Sequence, residues 1–324
     1  MKPLPFLVAA MLPIGTAAAQ LPGQDAFVAE VAQESGLAPA QIEATLAGAK
    51  RLQSILDAIS RPAEGKPWRD YRPIFMTQAR IDGGLAFMRE HAQVLDRVER
   101  DTGVPASLIA AIIGVETSYG KITGNYRVLD ALVTLGFHYP PRADFFRGEL
   151  KHLFRLVGEE DLDIDRITGS YAGAMGWGQF IPSSYRAYAV DGDGDGRRDL
   201  WNSVPDIVAS VANYFVEHGW AQDGLVALPA RRQDGAQPFE RDGLTPTSSI
   251  GALRALGYAV EHDGDDTVPA TLLKLEGSAG DEYWLTFNNF YVISRYNRSP
   301  LYSMAVHQLA QELELGRSRG LVQR

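Results

Sequence analysis

The segment that most constrains the fold of this chain is an almost continuous apolar stretch that ends in a carboxylate, Glu116. Pro105 opens the stretch and suits the first turn of a helix. The large apolar residues that follow it are Leu108, Ile109, Ile112, Ile113 and Val115. A helix that is apolar around most of its circumference has to be buried, so the sequence predicts a central helix that stops near Gly120.

Glu116 is therefore a candidate general acid. A carboxylate held against apolar surroundings loses hydration, which disfavours its charged form and raises its pKa. A carboxyl group that is protonated near neutral pH can protonate a glycosidic oxygen. The alternative from position alone is a glutamate on the surface of the last turn or one paired with an arginine, since structural networks also shift pKa values.

Composition excludes several classes of protein. The chain has 31 lysines and arginines against 40 acidic residues, and its net charge of −9 argues against a nucleic-acid binder, which needs a basic surface. It contains no cysteine. Disulfides, thiol catalysis, cysteine-ligated zinc and a lipid anchor attached through cysteine are therefore excluded.

The N-terminus has the three parts of a secretory signal peptide: Lys2, an apolar run over 4–14 and small residues at 17–19. The apolar run is shorter than the ~20 residues that span a bilayer. We expect cleavage after Ala19 and, in a bacterium, a soluble protein in the periplasm. An uncleaved N-terminal anchor is the alternative.

The spacing of apolar residues predicts further helices and one β-rich region. Helices are expected over 25–60, 84–100, 127–136, 142–158 and 300–316. Residues 61–73 are expected to form a connection that contains proline and tryptophan. Between 225 and 286, glycine, proline and aspartate interrupt short β-like runs at 271–276 and 283–287, which predicts a small β-containing subdomain.

Several segments carry a family resemblance. Residues 112–120 (IIGVETSYG) are similar to the motif around the catalytic glutamate of lytic transglycosylases with a lysozyme-like fold. The glycine-rich residues 170–185 (SYAGAMGWGQFIPSSY) and residues 211–215 (VANYF) are similar to their second and third motifs. With the acidic residues 191–202 and the aromatic residues 289–297, these segments resemble the membrane-bound lytic transglycosylase B family.

The resemblance implies a lysozyme-like core, to which composition and periodicity add a helical N-terminal region and a small β subdomain. The expected fold is α+β and mainly helical. The expected divisions are a signal peptide at 1–19, a helical region at 20–104, the catalytic core with an EF-hand-like loop at 105–224, the β subdomain at 225–286 and a C-terminal segment that completes the groove at 287–324.

The resemblance also implies an enzyme that acts on peptidoglycan glycan strands. It would cleave the β-1,4 bond between N-acetylmuramic acid (MurNAc) and N-acetylglucosamine (GlcNAc). The muramyl C6 hydroxyl would attack in place of water and leave a 1,6-anhydro end. Glu116 would be the acid for the leaving oxygen and then the base for the C6 hydroxyl. Two alternatives stay open: a hydrolytic muramidase, which would need a second carboxylate, and a non-catalytic peptidoglycan-binding scaffold.

The resemblance also suggests substrate-binding residues. The candidates are Ser170, Gln179, Tyr214, Tyr291, Tyr296 and Asn297. The first two would make polar contacts to the sugar or to an oxocarbenium-like intermediate, and Tyr214 would position Glu116 or stack on a sugar. For the last three candidates the alternative is an aromatic core with one satisfied amide, because a buried tyrosine commonly finds a hydrogen-bond partner.

A short helix is predicted after Pro182 and another over 207–218, and the alternating aspartates between them fit the start of an EF-hand-like calcium loop. The candidate ligands are Asp191, Asp193, Asp195, the Arg197 carbonyl and Asp206. Gly196 permits the sharp turn. The twelfth position of the loop is Asn202, where an EF-hand has a glutamate. The family that the chain resembles closes a longer loop with a later aspartate, which would be Asp206 here. We expect a structural Ca²⁺ that fixes the helix carrying Asn213 and Tyr214. The alternative is a solvated Asp/Gly turn without metal.

Overall fold

The computed structural model describes residues 21–61 and 65–322, so the signal peptide predicted at 1–19 lies outside the described residues. The chain divides into a first unit that ends at Ala49 and a second unit that begins at Lys50. None of the helices in these ranges combines the length and the apolar character that crossing a membrane requires.

The described part of the first unit is a pair of helices, α1 (Gln24–Ser35) and α2 (Pro39–Ala47), that pack on each other. Helix α1 ends at Gly36, whose φ of 72° suits glycine. Pro39 opens α2, where its missing N–H costs nothing. These helices confirm the first part of the helical prediction over 25–60.

The second unit is mostly helical and carries one antiparallel sheet. Its elements up to the central helix are α3 (Gln53–Ile59), α4 (Trp68–Phe75), α5 (Gln78–Glu90), α6 (Ala92–Thr102) and α7 (Ala106–Thr117). Next come β1 (Tyr126–Arg127), α8 (Val128–His138), a 3₁₀ turn (Pro140–Arg142), α9 (Ala143–Glu160), β2 (Thr168–Gly169), α10 (Pro182–Tyr188) and α11 (Val204–Glu217). The remainder is β3 (Ala227–Arg232), β4 (Ser248–Ser249), α12 (Ile250–Ala255), β5 (Tyr258–Val260), β6 (Pro269–Gly277), β7 (Gly280–Thr286), α13 (Asn288–Tyr296) and α14 (Pro300–Val322).

Helix α7 is the centre of this unit, as the apolar stretch predicted. Every residue from Ala106 to Val115 is buried. The helix packs against α5, α6, α11 and α14, which surround it. Each buried aliphatic side chain of this kind contributes about 1.5–3 kcal/mol, so the burial of α7 stabilises the unit strongly.

The prediction of a connection over 61–73 was wrong in its second half, where α4 forms. Pro73 lies inside α4, and local propensity argues against a helix there. Tertiary packing decides the outcome, because Trp68 and Tyr71 lie one turn apart and are both buried in a cluster with Leu273 and Phe290.

The β-rich region forms one five-stranded sheet with the order β4-β6-β7-β3-β5. Strands β6 and β7 confirm the two predicted β-like runs. Alternation along β6 divides the sheet into two faces. Leu273 and Leu275 pack toward α4, α13 and α14, whereas Leu272 joins Ile250 and Tyr258 in a second cluster on the other face.

Candidate active site

Glu116 lies in the last turn of α7, and an unusual backbone terminates that helix. Ser118, Tyr119 and Gly120 all have left-handed conformations, with φ of 51°, 62° and 79°. Their N–H groups still cap the helix, since Ser118 donates to the Gly114 carbonyl at 3.1 Å and Tyr119 donates to the Ile113 carbonyl at 3.2 Å. Left-handed residues other than glycine cost about 1–2 kcal/mol each, so packing has to hold this turn.

The packing that holds the turn is visible on both sides. The Tyr119 hydroxyl donates to the Arg80 carbonyl at 3.0 Å, and its ring covers Gly114, where a Cβ atom would lie 2.5 Å from the Tyr119 oxygen. Gly120 faces the Trp177 ring, and a Cβ atom there would collide with it. The backbone after Glu116 is therefore fixed by contacts with α5 and with the glycine-rich segment.

Thr117 joins the end of α7 to that glycine-rich segment. Its hydroxyl donates to the Trp177 carbonyl at 2.9 Å and accepts from the Gly120 N–H at 3.0 Å. The side chain is 1% exposed. The residue next to Glu116 thus locks the two motifs of the family resemblance together.

Glu116 is partly exposed as a residue, whereas its carboxylate is buried among protein groups. The Tyr302 hydroxyl of α14 donates to Glu116 Oε1 at 2.5 Å. Burial raises the pKa of Glu116 to about 7, and the Tyr302 hydrogen bond acts in the opposite direction because it stabilises the charged form. Near neutral pH the group can therefore both donate and accept a proton.

The Glu116 carboxylate shifts the pKa values of two neighbouring tyrosines. The pKa values of Tyr302 and Tyr296 are raised well above the usual range, first by burial and then by the Glu116 carboxylate. Tyr296 donates to the Gly178 carbonyl at 2.6 Å, which ties α13 to the glycine-rich segment. The structure thus brings Tyr296 together with Glu116, and it adds Tyr302, which the sequence reasoning missed.

The Tyr214 ring packs against the Tyr296 ring. Their ring centroids are 4.7 Å apart, and the Tyr214 hydroxyl donates to the Arg295 carbonyl at 2.5 Å. The Phe180 ring lies 5.9 Å from each of these two rings. This cluster links α11, α13 and the glycine-rich segment, so Tyr214 is positioned to fix Tyr296.

Ser170 and Gln179 both hydrogen-bond to the backbone of the glycine-rich segment. Ser170 Oγ accepts from the Ala174 N–H at 3.1 Å. Gln179 has a φ of 52°, and its Nε2 donates to the Gly176 carbonyl of this segment at 3.0 Å and to the Thr123 carbonyl at 3.1 Å. Both side chains shape the turn, and contact of either one with substrate stays a prediction.

The last two predicted residues lie on and after α13. Asn297 ends this helix, and its Oδ1 accepts from the Ser299 N–H at 3.1 Å, which shapes the turn into α14. Tyr291 is half-buried on the same helix. Their roles in substrate binding also stay predictions.

The other largely buried carboxylates of the described residues are tied to backbone N–H groups. Asp130 accepts from the Lys50 N–H at 2.8 Å and pairs with Arg127. Glu149 accepts from the N–H and the hydroxyl of Ser183 at the start of α10, at 2.9 and 2.8 Å. Asp206 belongs to the acidic loop. Among these groups, Glu116 differs in having a phenol as its hydrogen-bond donor.

The acidic loop brings three of the predicted ligands together. Carboxylate oxygens of Asp191, Asp193 and Asp206 all lie within 4.8 Å of one another. Asp195 is not in this group, and its Oδ1 accepts from the Arg197 N–H at 2.8 Å. Ligation by Asp195 and by the Arg197 carbonyl stays a prediction.

Asp206 closes the loop from the first turn of α11. It is 1% exposed, and its two oxygens accept from the Gly192 and Asp199 N–H groups, each at 2.7 Å. Burial, and then the Asp193 charge, raise the pKa of Asp206. Backbone N–H groups, first that of Gly196, lower the pKa of Asp191. Three clustered carboxylates suit a hard cation such as Ca²⁺, which prefers oxygen ligands.

Comparison with known proteins places this geometry in a family. The model of the transglycosylase SLT domain matches residues 21–311. Membrane-bound lytic murein transglycosylase B of Escherichia coli is 40% identical over 306 residues, which are 91% of this chain and 84% of that protein.

Solved structures agree with this match. Soluble lytic transglycosylase SltB1 of Pseudomonas aeruginosa superposes with a TM-score of 0.86 at 50% identity, over 92% of this chain and 100% of that one. Escherichia coli Slt35, solved in complex with calcium, gives 0.85 at 40% identity, over 93% and 95%. Pseudomonas aeruginosa SltB3, solved with NAG-anhNAM-pentapeptide, gives 0.79 at 30% identity, over 90% and 78%. The chain therefore belongs to the transglycosylase SLT domain family and has the lysozyme-like, mainly helical α+β fold of these lytic transglycosylases.

Proposed function

We propose that this chain is a peptidoglycan lytic transglycosylase that cleaves the MurNAc-β-1,4-GlcNAc bond and leaves 1,6-anhydroMurNAc ends. The observation that carries the proposal is a single carboxylate, Glu116, with its pKa raised to about 7 and one phenol donating to it. The relatives are named lytic transglycosylases, and one of them was solved with an anhydro-sugar ligand.

In the first step, protonated Glu116 donates its proton to the glycosidic oxygen while the bond from that oxygen to C1 of MurNAc breaks. Tyr302 donates to the carboxylate that remains, which stabilises its negative charge in the buried site. The proton therefore moves from a neutral acid, and the ionised product of the transfer already has its hydrogen-bond donor in place.

In the second step, the Glu116 carboxylate removes the proton of the C6 hydroxyl as that oxygen bonds to C1. Glu116 returns to its protonated state, so the cycle is balanced without water. A pKa near neutrality suits both steps, because neither protonation state is strongly disfavoured. Glycosidases that use water commonly employ two carboxylates, whereas the other largely buried carboxylates described here are tied to backbone groups.

The candidate substrate-binding residues complete the proposed groove. Tyr296, backed by Tyr214, would present a rigid phenol beside Glu116. Ser170, Gln179, Tyr291 and Asn297 are proposed to contact the sugars. The catalytic core at 105–224, the β subdomain at 225–286 and the C-terminal segment at 287–324 would jointly form the enzyme.

We also propose that the acidic loop holds a structural Ca²⁺, with Asp191, Asp193 and Asp206 as carboxylate ligands. The oxygen-only donor set fits this ion. Bound there, the cation would neutralise the charges and fasten the start of α11, the helix that carries Tyr214. The calcium complex of the relative Slt35 supports this proposal. Location in the periplasm rests on the signal-peptide pattern at 1–19.

The test is Glu116→Gln compared with Glu217→Gln, which changes an exposed glutamate at the end of another helix. We expect Glu116→Gln to lower the rate of release of soluble products from purified peptidoglycan by about 10³-fold, in the range that general acid–base catalysis supplies. Glu217→Gln should match the unmodified chain. Full turnover by Glu116→Gln would refute the proposed mechanism.

A further inference from the structure

The face of the sheet that points away from α4 and α14 carries a pocket that the proposed reaction does not use. Strand register places Lys274 opposite Tyr283 and Arg232 opposite Tyr258. Lys274 has the same orientation as Leu272, whose cluster lies on this outer face. The pocket that opens there has a volume of about 500 Å³.

The pocket is cationic in a chain of net charge −9. Its charged lining residues are Arg232, Arg241, Lys274 and Asp281. Lys274 and Asp281 form an ion pair at 2.8 Å. Arg232 donates to the Ala236 carbonyl at 3.3 Å. Among the described residues, the guanidinium groups of Arg232 and Arg241 have no carboxylate partner. Two uncompensated positive charges therefore face the same space.

The floor of the pocket is aromatic and well fixed. The Tyr258 and Tyr283 ring centroids are 5.5 Å apart, and Phe239 completes the lining. The Tyr258 hydroxyl donates to the Gln237 carbonyl at 3.0 Å. Burial lowers the pKa of Arg241, because its guanidinium is partly removed from water. An anion bound beside it would compensate that loss of hydration.

We propose that this pocket binds the carboxylates of an acidic peptide and that the peptide is one attached to the peptidoglycan strand. A guanidinium can bind a carboxylate through two parallel N–H bonds, and the aromatic floor suits the apolar atoms that separate the carboxylates of a peptide. An inorganic phosphate ion has no such apolar part. The assignment to peptidoglycan rests on the proposed function, and the relative SltB3 was solved with a ligand that contains a pentapeptide.

The test is calorimetric titration of the full chain with a stem pentapeptide released from peptidoglycan, with the same peptide after amidation of its carboxylates, and with inorganic phosphate. The variant is Arg232→Ala with Arg241→Ala. The matched control is Arg231→Ala, a neighbouring exposed arginine on β3 that does not line the pocket. Arg241→Glu is a second variant that reverses one charge.

We expect the unmodified chain and Arg231→Ala to bind the pentapeptide equally. The double variant and Arg241→Glu should bind the pentapeptide about tenfold more weakly, because charged hydrogen bonds are lost. For the same reason, the unmodified chain should bind the amidated peptide about tenfold more weakly than the pentapeptide. Equal affinity of the double variant and Arg231→Ala would overturn the proposal. Phosphate binding as tight as that of the pentapeptide would also overturn it, because the site would then recognise any anion.

The same variants distinguish a failure of this inference from a failure of the proposed function. On glycan strands stripped of peptide, all of them should release products at the unmodified rate, since the pocket is separate from Glu116. If even the unmodified chain releases no products, the proposed function fails. The titrations with the free pentapeptide still decide whether the pocket binds it.

Discussion

Glu116 and the acidic loop contain the same chemical group in two opposite settings. Glu116 is a single carboxylate at the end of a buried helix, with one phenol as donor and a pKa raised to about 7. The loop gathers three carboxylates, and backbone N–H groups bind them from several sides. Isolation from water thus makes a carboxylate a proton donor and acceptor, whereas clustering makes carboxylates a site for a cation.

Ionisation of Glu116 should change the stability of the folded chain more than any other single event considered for the two carboxylate settings. The unfolded carboxyl has an ordinary pKa of 4.5 and the folded one a pKa of about 7, so the folded state binds more protons between these pH values. Stability therefore falls as pH rises through this window, by up to about 3 kcal/mol. The glutamine in Glu116→Gln is neutral at every pH. At pH 8 this variant should therefore be more stable than the unmodified chain by nearly that amount, and near pH 4.5 the two should be about equally stable.

Denaturant unfolding at both pH values measures this difference. Glu217→Gln, at an exposed position, is the control and should show no such pH-dependent gain. If Glu116→Gln were no more stable than the unmodified chain at pH 8, the ionised Glu116 would not be destabilising, and the contrast with the loop would lose its basis.

The second effect concerns the loop. If Ca²⁺ binds there, a concentration 100 times its Kd stabilises the folded state by about 2.7 kcal/mol, or roughly 5 °C in a unit of this size. Calorimetric scans with Ca²⁺ and with a chelator should differ by that amount. Asp206→Asn should abolish the difference, whereas Asp195→Asn, outside the group of three carboxylates, should retain most of it.

If the melting temperature were the same with Ca²⁺ and with chelator, the loop would bind no Ca²⁺. The loop would then be a solvated turn held by its own N–H groups. A loss of the Ca²⁺ effect in Asp195→Asn equal to that in Asp206→Asn would instead establish Asp195 as a ligand of equal weight.

The smallest effect concerns Tyr302. Its hydrogen bond lowers the pKa of Glu116, so Tyr302→Phe should raise that pKa further. The general acid then stays protonated to higher pH, and the alkaline limb of the kcat/KM profile should move to higher pH. We expect kcat to fall by about tenfold, since one hydrogen bond to a charged group is lost. Tyr139→Phe, between α8 and the 3₁₀ turn, is the control, because Tyr139 lies outside the proposed site. An alkaline limb that does not move in Tyr302→Phe would contradict a role for Tyr302 in setting the pKa.

Much of the fold could be predicted because its signals are local. The apolar circumference of α7 required burial, and alternation marked β6 and β7. Helix α4 escaped prediction because Pro73 argues locally against it, while its stability comes from Trp68 and Tyr71 packing against a sheet formed some 200 residues later. Propensity cannot express such a contact.

Part of the geometry around Glu116 is predictable for the same reason. Glu116 and the acidic loop follow from short patterns, since a helix end and alternating aspartates carry their own geometry. Tyr302 lies 186 residues from Glu116, and no spacing rule connects them. Ser170 accepts a hydrogen bond from the Ala174 N–H, and Gln179 donates one to the Gly176 carbonyl, because a segment so rich in turns has many backbone groups that need partners. Spacing in the sequence does not reveal these bonds, and contact of either side chain with substrate stays a prediction.

The most direct measurement is mass spectrometry of products made from purified peptidoglycan in H₂¹⁸O. We expect muropeptide ends that lack ¹⁸O and are lighter by one water than reducing ends, because the C6 hydroxyl of the substrate attacks C1. Reducing ends that carry ¹⁸O would contradict this expectation, since water would then be the nucleophile and a second carboxylate would have to activate it.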